Sequence, residues 1–387
     1  NEASAIQQKN AALSVYTDFE EFDEDGEPIE TSDKTWNGYY EANQDYNGCA
    51  YVYTPVLPEE YSVGEEAELP EICVLVGEMQ LMTLAGEVYN LNEPLTINSS
   101  NVNQLNGKTI TGSYCPSTRP HEYLKIKGGI TIDNVTVDLT IKDVTIQSGG
   151  DGARGWDLAG IYLKGNAKLN LTLEGTNTLL GLDEGAGIEV EKGATLVITD
   201  QSNGSLKAVG GAYGAAGIGG NADAVSYFHG ALETKDFDGT KYGTGTIIIK
   251  GGTIAAEGGV YWVSGVTDYQ GGAGIGTGSY GIGGTIKILG GRITAEGGRQ
   301  TGAGIGGGTG GGVHTIVIGG ANGKAPDITV SSYYSARGYM GAAIGSGWNG
   351  VSDLQLSCGD IQILSGSVTV KGGNIGYGVL RDVNGNS

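Results

Sequence analysis

The sequence predicts an all-β protein: a right-handed parallel β-helix, a three-sheet solenoid of about 30 residues per coil, behind an acidic N-terminal cap region. Three observations predict it. The isoleucine of a glycine-rich motif recurs as Ile188, Ile218, Ile275, Ile305 and Ile344, at spacings of 30, 57, 30 and 39. Between these anchors, short runs such as "TIKIL" (285–289) and "RITAE" (292–296) alternate apolar and polar residues with the period of a strand. Gly-Gly pairs bound each run, and the chain holds 72 glycines in 387 residues without a G-X-Y period.

The first element is distinct in composition. Residues 1–100 carry 21 acidic against 2 basic side chains and only 6 glycines; the remainder carries 23 against 20, with 66 glycines. Residues 1–80 are therefore read as an acidic N-terminal segment or cap and 81–387 as the β-helix. Within the first segment "CAYVYTPV" and "EICVLVGEMQLMTL" are strand-like and would cover an otherwise open first coil. "DFEEFDEDGEPIE" offers Asp23, Asp25 and Glu27, hard oxygen ligands that suit Ca²⁺ but lack the twelve-residue loop of a dedicated site. A solvated acidic linker is the competing reading. No cofactor is expected beyond that option of calcium.

The coils follow. "LNEPLTINSSNVNQLNGKTITG" (91–112) reads as the first, and "NVTVDLTIKDVTIQS" (134–148) and "AKLNLTLEGTNTLL" (167–180) alternate cleanly. The 30-residue unit from Gly274 to Ala303 is the shortest complete repeat. The 57-residue unit is that repeat with insertions, one within 219–244 and one within 257–271. Stacking should align the five isoleucines as an inward ladder, each contributing roughly 2 kcal/mol on burial. The fingerprint G-x-G-x-x-G at Gly302, Gly304 and Gly307 belongs to this repeat. A β-branched run follows it where a nucleotide site needs a helix.

Composition also excludes. A net charge of −22 with no basic patch disfavours nucleic acid, and no apolar run reaches the ~18 residues of a membrane span. No signal peptide opens the sequence at Asn1, which fits a mature or trimmed form. Cys49, Cys73, Cys115 and Cys358 lack CxxC spacing, which argues against zinc. Cys49 and Cys73 are candidates to pair; Cys358 reads as a core residue.

The "GAGIGGG" and "GGTI" coils of residues 185–347, and more loosely 110–378, resemble glycine-rich bacterial surface proteins of the right-handed parallel β-helix, pectate-lyase-like class. The resemblance implies a secreted or cell-surface location and an adhesin-like or carbohydrate-binding role. It specifies architecture far more than activity.

Three functional readings follow. The first is a non-catalytic adhesin that binds a glycan or another cell-surface ligand. One edge of the solenoid should gather aromatics at similar offsets from the isoleucine anchors: Tyr213, Tyr269, Tyr280, Tyr339 and Trp348, with Tyr261 and Trp262 from the second insertion. Flat rings on a rigid scaffold suit the apolar faces of sugars; the competing explanation is that they brace glycine corners. The second reading is a polysaccharide lyase or glycoside hydrolase. Its best residues are His229 with Glu233, Asp236 and Asp238 in the first insertion, or Glu257 and Glu296 at one repeat position. The N-T-D, D-D, G-H-G and R-I-K signatures of polygalacturonase-type sites are absent, and paired carboxylates at catalytic spacing are not evident. The third reading is a structural spacer without a site.

Overall fold

The computed structural model describes residues 88–114, 128–147, 158–222, 243–261, 270–298, 301–320, 325–333, 339–348 and 358–380, and six strands between residues 13 and 75. It forms two compact units, Asn1–Ala85 and Gly86–Ser387. In the first, Leu13–Tyr16, Thr35–Ala42, Ala50–Pro55 and Ile72–Leu75 form an antiparallel sheet, and Glu21–Phe22 pairs with Pro28–Ile29. The last two strands of that sheet are the runs read as strand-like.

The second unit is almost wholly β, built on one nine-stranded and one fifteen-stranded sheet, the arrangement of a β-helix or solenoid. The pairings within both are parallel, and neither sheet closes on itself. In the nine-stranded sheet the register runs Ile130, Ile161, Ile188, Ile218, Ile275, Ile305, Ile344, Ile375. The expected ladder is thus present and extends beyond the five anchors at both ends. All but the last of these isoleucines are fully buried.

The fifteen-stranded sheet contains two ladders that meet at the eleven-residue strand Thr136–Ile146. Its first half pairs with Lys168–Glu174 and its second with Thr176–Leu180. Between the halves, Asp143 takes a positive φ of 54° and the register shifts. The Asp143 carboxylate accepts the Thr176 N–H at 2.9 Å. Fully buried Asn177 accepts the Val144 N–H and donates to the Glu174 and Ser205 carbonyls, so the broken ladder leaves those groups satisfied. Later coils carry the two ladders on separate strands, Thr246–Ile249 and Thr253–Glu257, then Thr285–Ile288 and Arg292–Glu296.

Four of the five glycine motifs are tight turns as well as strands. The N–H of Ala216, Ala273, Ala303 and Ala342 donates to the carbonyl four residues on (Gly220, Thr277, Gly307, Ser346) at 2.8–3.0 Å. The isoleucine sits inside that closure. The glycine after it has φ between 136° and 143° at Gly219, Gly276, Gly306 and Gly345. A Cβ there would lie 1.7–1.9 Å from the carbonyl oxygen of the equivalent glycine one coil on. Only glycine fits.

The segments read as insertions separate the strands Ile218–Gly219 and Thr246–Ile249, and the strands Thr253–Glu257 and Ile275–Gly276. The second begins and ends as an antiparallel pair, Val260–Tyr261 with Gln270–Gly271. After Gly302, Gly304 and Gly307 comes the strand Thr315–Ile318 and no helix. Cys358 is half-buried near the last coil, not within the core as read, because the segment it opens leads to the final coil.

Candidate functional site

Because each turn closes around its isoleucine, residues shortly before and after it emerge together. Gly214, beside Tyr213, packs against the next coil: its carbonyl accepts the Ser279 N–H at 2.9 Å, and a Cβ on it would strike Ser279 Oγ. Tyr280, at a φ of 62°, lays its ring against Gly310. The Gly310 N–H in turn donates to the Trp348 carbonyl at 2.8 Å. Trp348 stacks on Tyr339, with ring centroids 4.0 Å apart and planes at 25°. A chain of contacts across successive coils therefore links Gly214, Ser279, Tyr280, Gly310, Trp348 and Tyr339.

The aromatics of this edge differ in role. Tyr280 is 9% exposed and its hydroxyl accepts Gln270 Nε2 at 3.0 Å, so it braces the turn. Tyr213, Tyr339 and Trp348 are half-buried and keep part of their surface in solvent. The scaffold beneath is pinned by buried hydroxyls: Thr301 and Thr309 lie 2.5 Å apart, and both accept the Gly271 N–H. Tyr261 lies in its hairpin strand, while Trp262 and Tyr269 fall outside the described residues.

Of the acidic candidates, two are described. Glu257 and Glu296 are register partners on adjacent strands, as their repeat position implied. The charge of Glu296 raises the exposed Tyr333 hydroxyl above its ordinary value. Glu189 is 4% exposed. Its register neighbour Tyr162 donates its hydroxyl to Glu191, which also accepts the Gly165 N–H at 2.7 Å. Burial, followed by that bond, pushes the Tyr162 hydroxyl far up. Lys164 bonds Asp133 at 2.7 Å and holds its carboxyl below the usual carboxylate range. The Tyr162–Glu191 pair was not anticipated from sequence. Aligning Ile161 with Ile188 places Tyr162 beside Glu189, which points to an acidic strand opposite the tyrosine but not to Glu191 itself.

Among the described residues no group of three or more His, Cys, Asp or Glu side chains could hold a metal. No described helix is long and apolar enough to cross a membrane. His314 is exposed. His121, His229, Glu233, Asp236, Asp238, the proposed calcium ligands Asp23, Asp25 and Glu27, and Cys49 and Cys115 lie outside the described residues, while Cys73 sits in the strand Ile72–Leu75. Compared with protein-family models, with curated proteins and with solved structures, the chain matches none.

Proposed function

We propose that this chain is a non-catalytic binding protein, a right-handed parallel β-helix with three sheets per coil, secreted or displayed on a bacterial surface, that holds carbohydrate along its aromatic edge. The stacked pair Tyr339–Trp348 carries the reading. Two large rings held face to face and left half-open offer flat apolar area with polar edges, which suits the C–H faces of a sugar ring. Their position costs little ordering on binding, because Trp348 is tied at both its N–H, to Thr301, and its carbonyl, to Gly310. The carboxylate of Glu191 is occupied by a tyrosine hydroxyl and a backbone N–H. The bacterial-surface location rests on the resemblance of the glycine repeats alone.

The test is a glycan array probed with the purified chain, with and without calcium. Selective retention on a glycan class supports the reading; uniform background in both conditions refutes it. Release of reducing ends or unsaturated products from a bound polysaccharide would replace it with the enzymatic alternative.

A further inference from the structure

Four residues after the isoleucine of its turn, the chain bonds back to the coil before. The N–H groups of Ala222, Ser279, Thr309 and Trp348 donate, in that order, to the carbonyls of Glu184, Gly214, Gly271 and Thr301 at 2.8–2.9 Å. Each acceptor stands four residues before the isoleucine of its own coil: Ile188, Ile218, Ile275 and Ile305. One clasp thus recurs at successive coil junctions. Where the acceptors Gly214 and Gly271 have no side chain, Thr301 adds a hydroxyl. That hydroxyl is buried and lies 2.5 Å from the hydroxyl of Thr309. Both accept the Gly271 N–H, at 3.1 and 2.8 Å, and Thr309 Oγ1 reaches the Gly271 carbonyl at 3.2 Å. With Thr309 donating to that carbonyl, Thr301 is the donor within the pair. The Thr301 N–H reaches the Gly298 carbonyl of its own coil at 3.4 Å, a weaker tie than its side chain makes.

We infer that Thr301 is a positioning residue for the Tyr339–Trp348 edge: its hydroxyl fixes the carbonyl that holds Trp348, and through it the stacked rings. The inference rests on the reading of that pair as the carbohydrate edge. Trp348 is tied at its N–H to the Thr301 carbonyl and at its carbonyl to the Gly310 N–H. Gly310 follows Thr309 in the chain, so both backbone ties of Trp348 lead to the same two hydroxyls. The ring of Tyr280 lies against Gly310, and the Tyr280 N–H donates to the Thr309 carbonyl at 2.6 Å. Gln270, beside Gly271, donates to the Tyr280 hydroxyl and closes the network. The rings themselves are half-buried and stack at 4.0 Å. Their orientation is thus set from beneath, by groups that touch no ligand. Without its hydroxyl, Thr301 would leave Gly271 bonded to Thr309 but let its own carbonyl tilt, which moves Trp348 more than it disturbs the core.

Thr301→Val, Thr301→Ser and Thr277→Val in the 387-residue chain test this. Thr277 is the control: it is fully buried and its hydroxyl also accepts a backbone N–H, from Gly308 at 3.1 Å. Near-ultraviolet circular dichroism, taken as the difference from the same protein with Trp348→Ala, reads the ring pair without any ligand. Titration with a glycan selected on the array reads affinity. Thr301→Val should alter the ring-pair band and weaken binding about fivefold, the equivalent of one ordinary hydrogen bond. Thr301→Ser should restore both. Thr277→Val should lower the melting temperature and leave band and affinity unchanged. Should Thr301→Val not fold, Thr309→Val removes the other hydroxyl of the pair and makes the same measurement. An unaltered band, a band altered equally by Thr277→Val, no rescue by serine, or unchanged affinity beside an altered band would each overturn the inference. If the array yields no glycan, the binding reading fails by itself, and the band with its serine rescue decides whether Thr301 positions the rings.

Discussion

Ile305 stands directly beside Ile344 in adjacent parallel strands, thirty-nine residues on in the chain, and both are fully buried. The pair shows how the solenoid is held: coils of unequal length return to one register because the turns around Ile218, Ile275, Ile305 and Ile344 are the same. Ile305→Ala should cost about 2–5 kcal/mol, the transfer free energy plus the cavity left between coils. Ile305→Asp should leave the protein unfolded or aggregated, since the ladder offers a charge no partner. Denaturant titration followed by circular dichroism measures the first and solubility the second. An alanine variant within about 0.5 kcal/mol of wild type would show that the ladder is not a principal source of stability.

The glycines are not equivalent. Gly306→Ala should destabilise by about 3 kcal/mol or more, because φ is 136° and the new Cβ would lie 1.8 Å from the Gly345 carbonyl oxygen. Gly320→Ala should be nearly neutral: no positive φ is needed, and the nearest atom to the new Cβ is Leu289 Cδ2 at 3.9 Å. Thermal melts of the two variants side by side check the contrast, and equal losses would contradict it.

Tyr162 gives the fold a limit at alkaline pH. Its hydroxyl is raised above the ordinary 10.0 by burial and by the bond to Glu191. The neutral form is thus favoured in the folded state. This stabilisation is complete below about pH 10 and is lost as pH rises towards the folded-state value. Tyr162→Phe should therefore be less stable than wild type near neutrality but lose less stability between pH 9 and 11. Parallel curves for the two proteins across that range would show that Tyr162 does not set the limit. The Asp133–Lys164 pair is too exposed to govern the acid side.

The repeat was legible because period-2 alternation and a positive-φ glycine leave the same trace in every coil. Ile188, Ile218, Ile275, Ile305 and Ile344 could be aligned by eye, and the insertions at 219–244 and 257–271 followed from arithmetic on their spacing. The site was less legible. Alternation puts Glu189 and Tyr162 on the outward side of their strands, but it says nothing about what lies over them, and both are 4% exposed. Tyr280 was grouped with the surface aromatics although its positive φ and its bond from Gln270 turn it into a brace. Contacts of this kind depend on the path of the turn, which a strand period does not encode. The stacking of Tyr339 on Trp348 closes across the isoleucine turn, and sequence spacing supplied only their shared edge.

That stacked pair makes the binding proposal testable at single residues. Trp348→Ala removes the indole and leaves the Thr301 and Gly310 backbone bonds in place, so the coil should keep its register. Tyr339→Ala leaves the pairing of Tyr339–Met340 with Val379–Leu380, which is made by backbone alone. If the rings form the binding edge, each variant should lose about tenfold in glycan affinity per ~1.4 kcal/mol of contact removed, with melting little altered. If they only brace the turn, melting should fall while the surviving folded protein binds as before. Tyr280→Phe serves as the internal standard. It removes the hydroxyl that receives Gln270 Nε2, and should lower the melting temperature without changing affinity. Titration of a glycan selected on the array against all three variants, with melts on the same samples, separates the cases. Unchanged affinity in both Trp348→Ala and Tyr339→Ala would remove the aromatic edge as the binding surface.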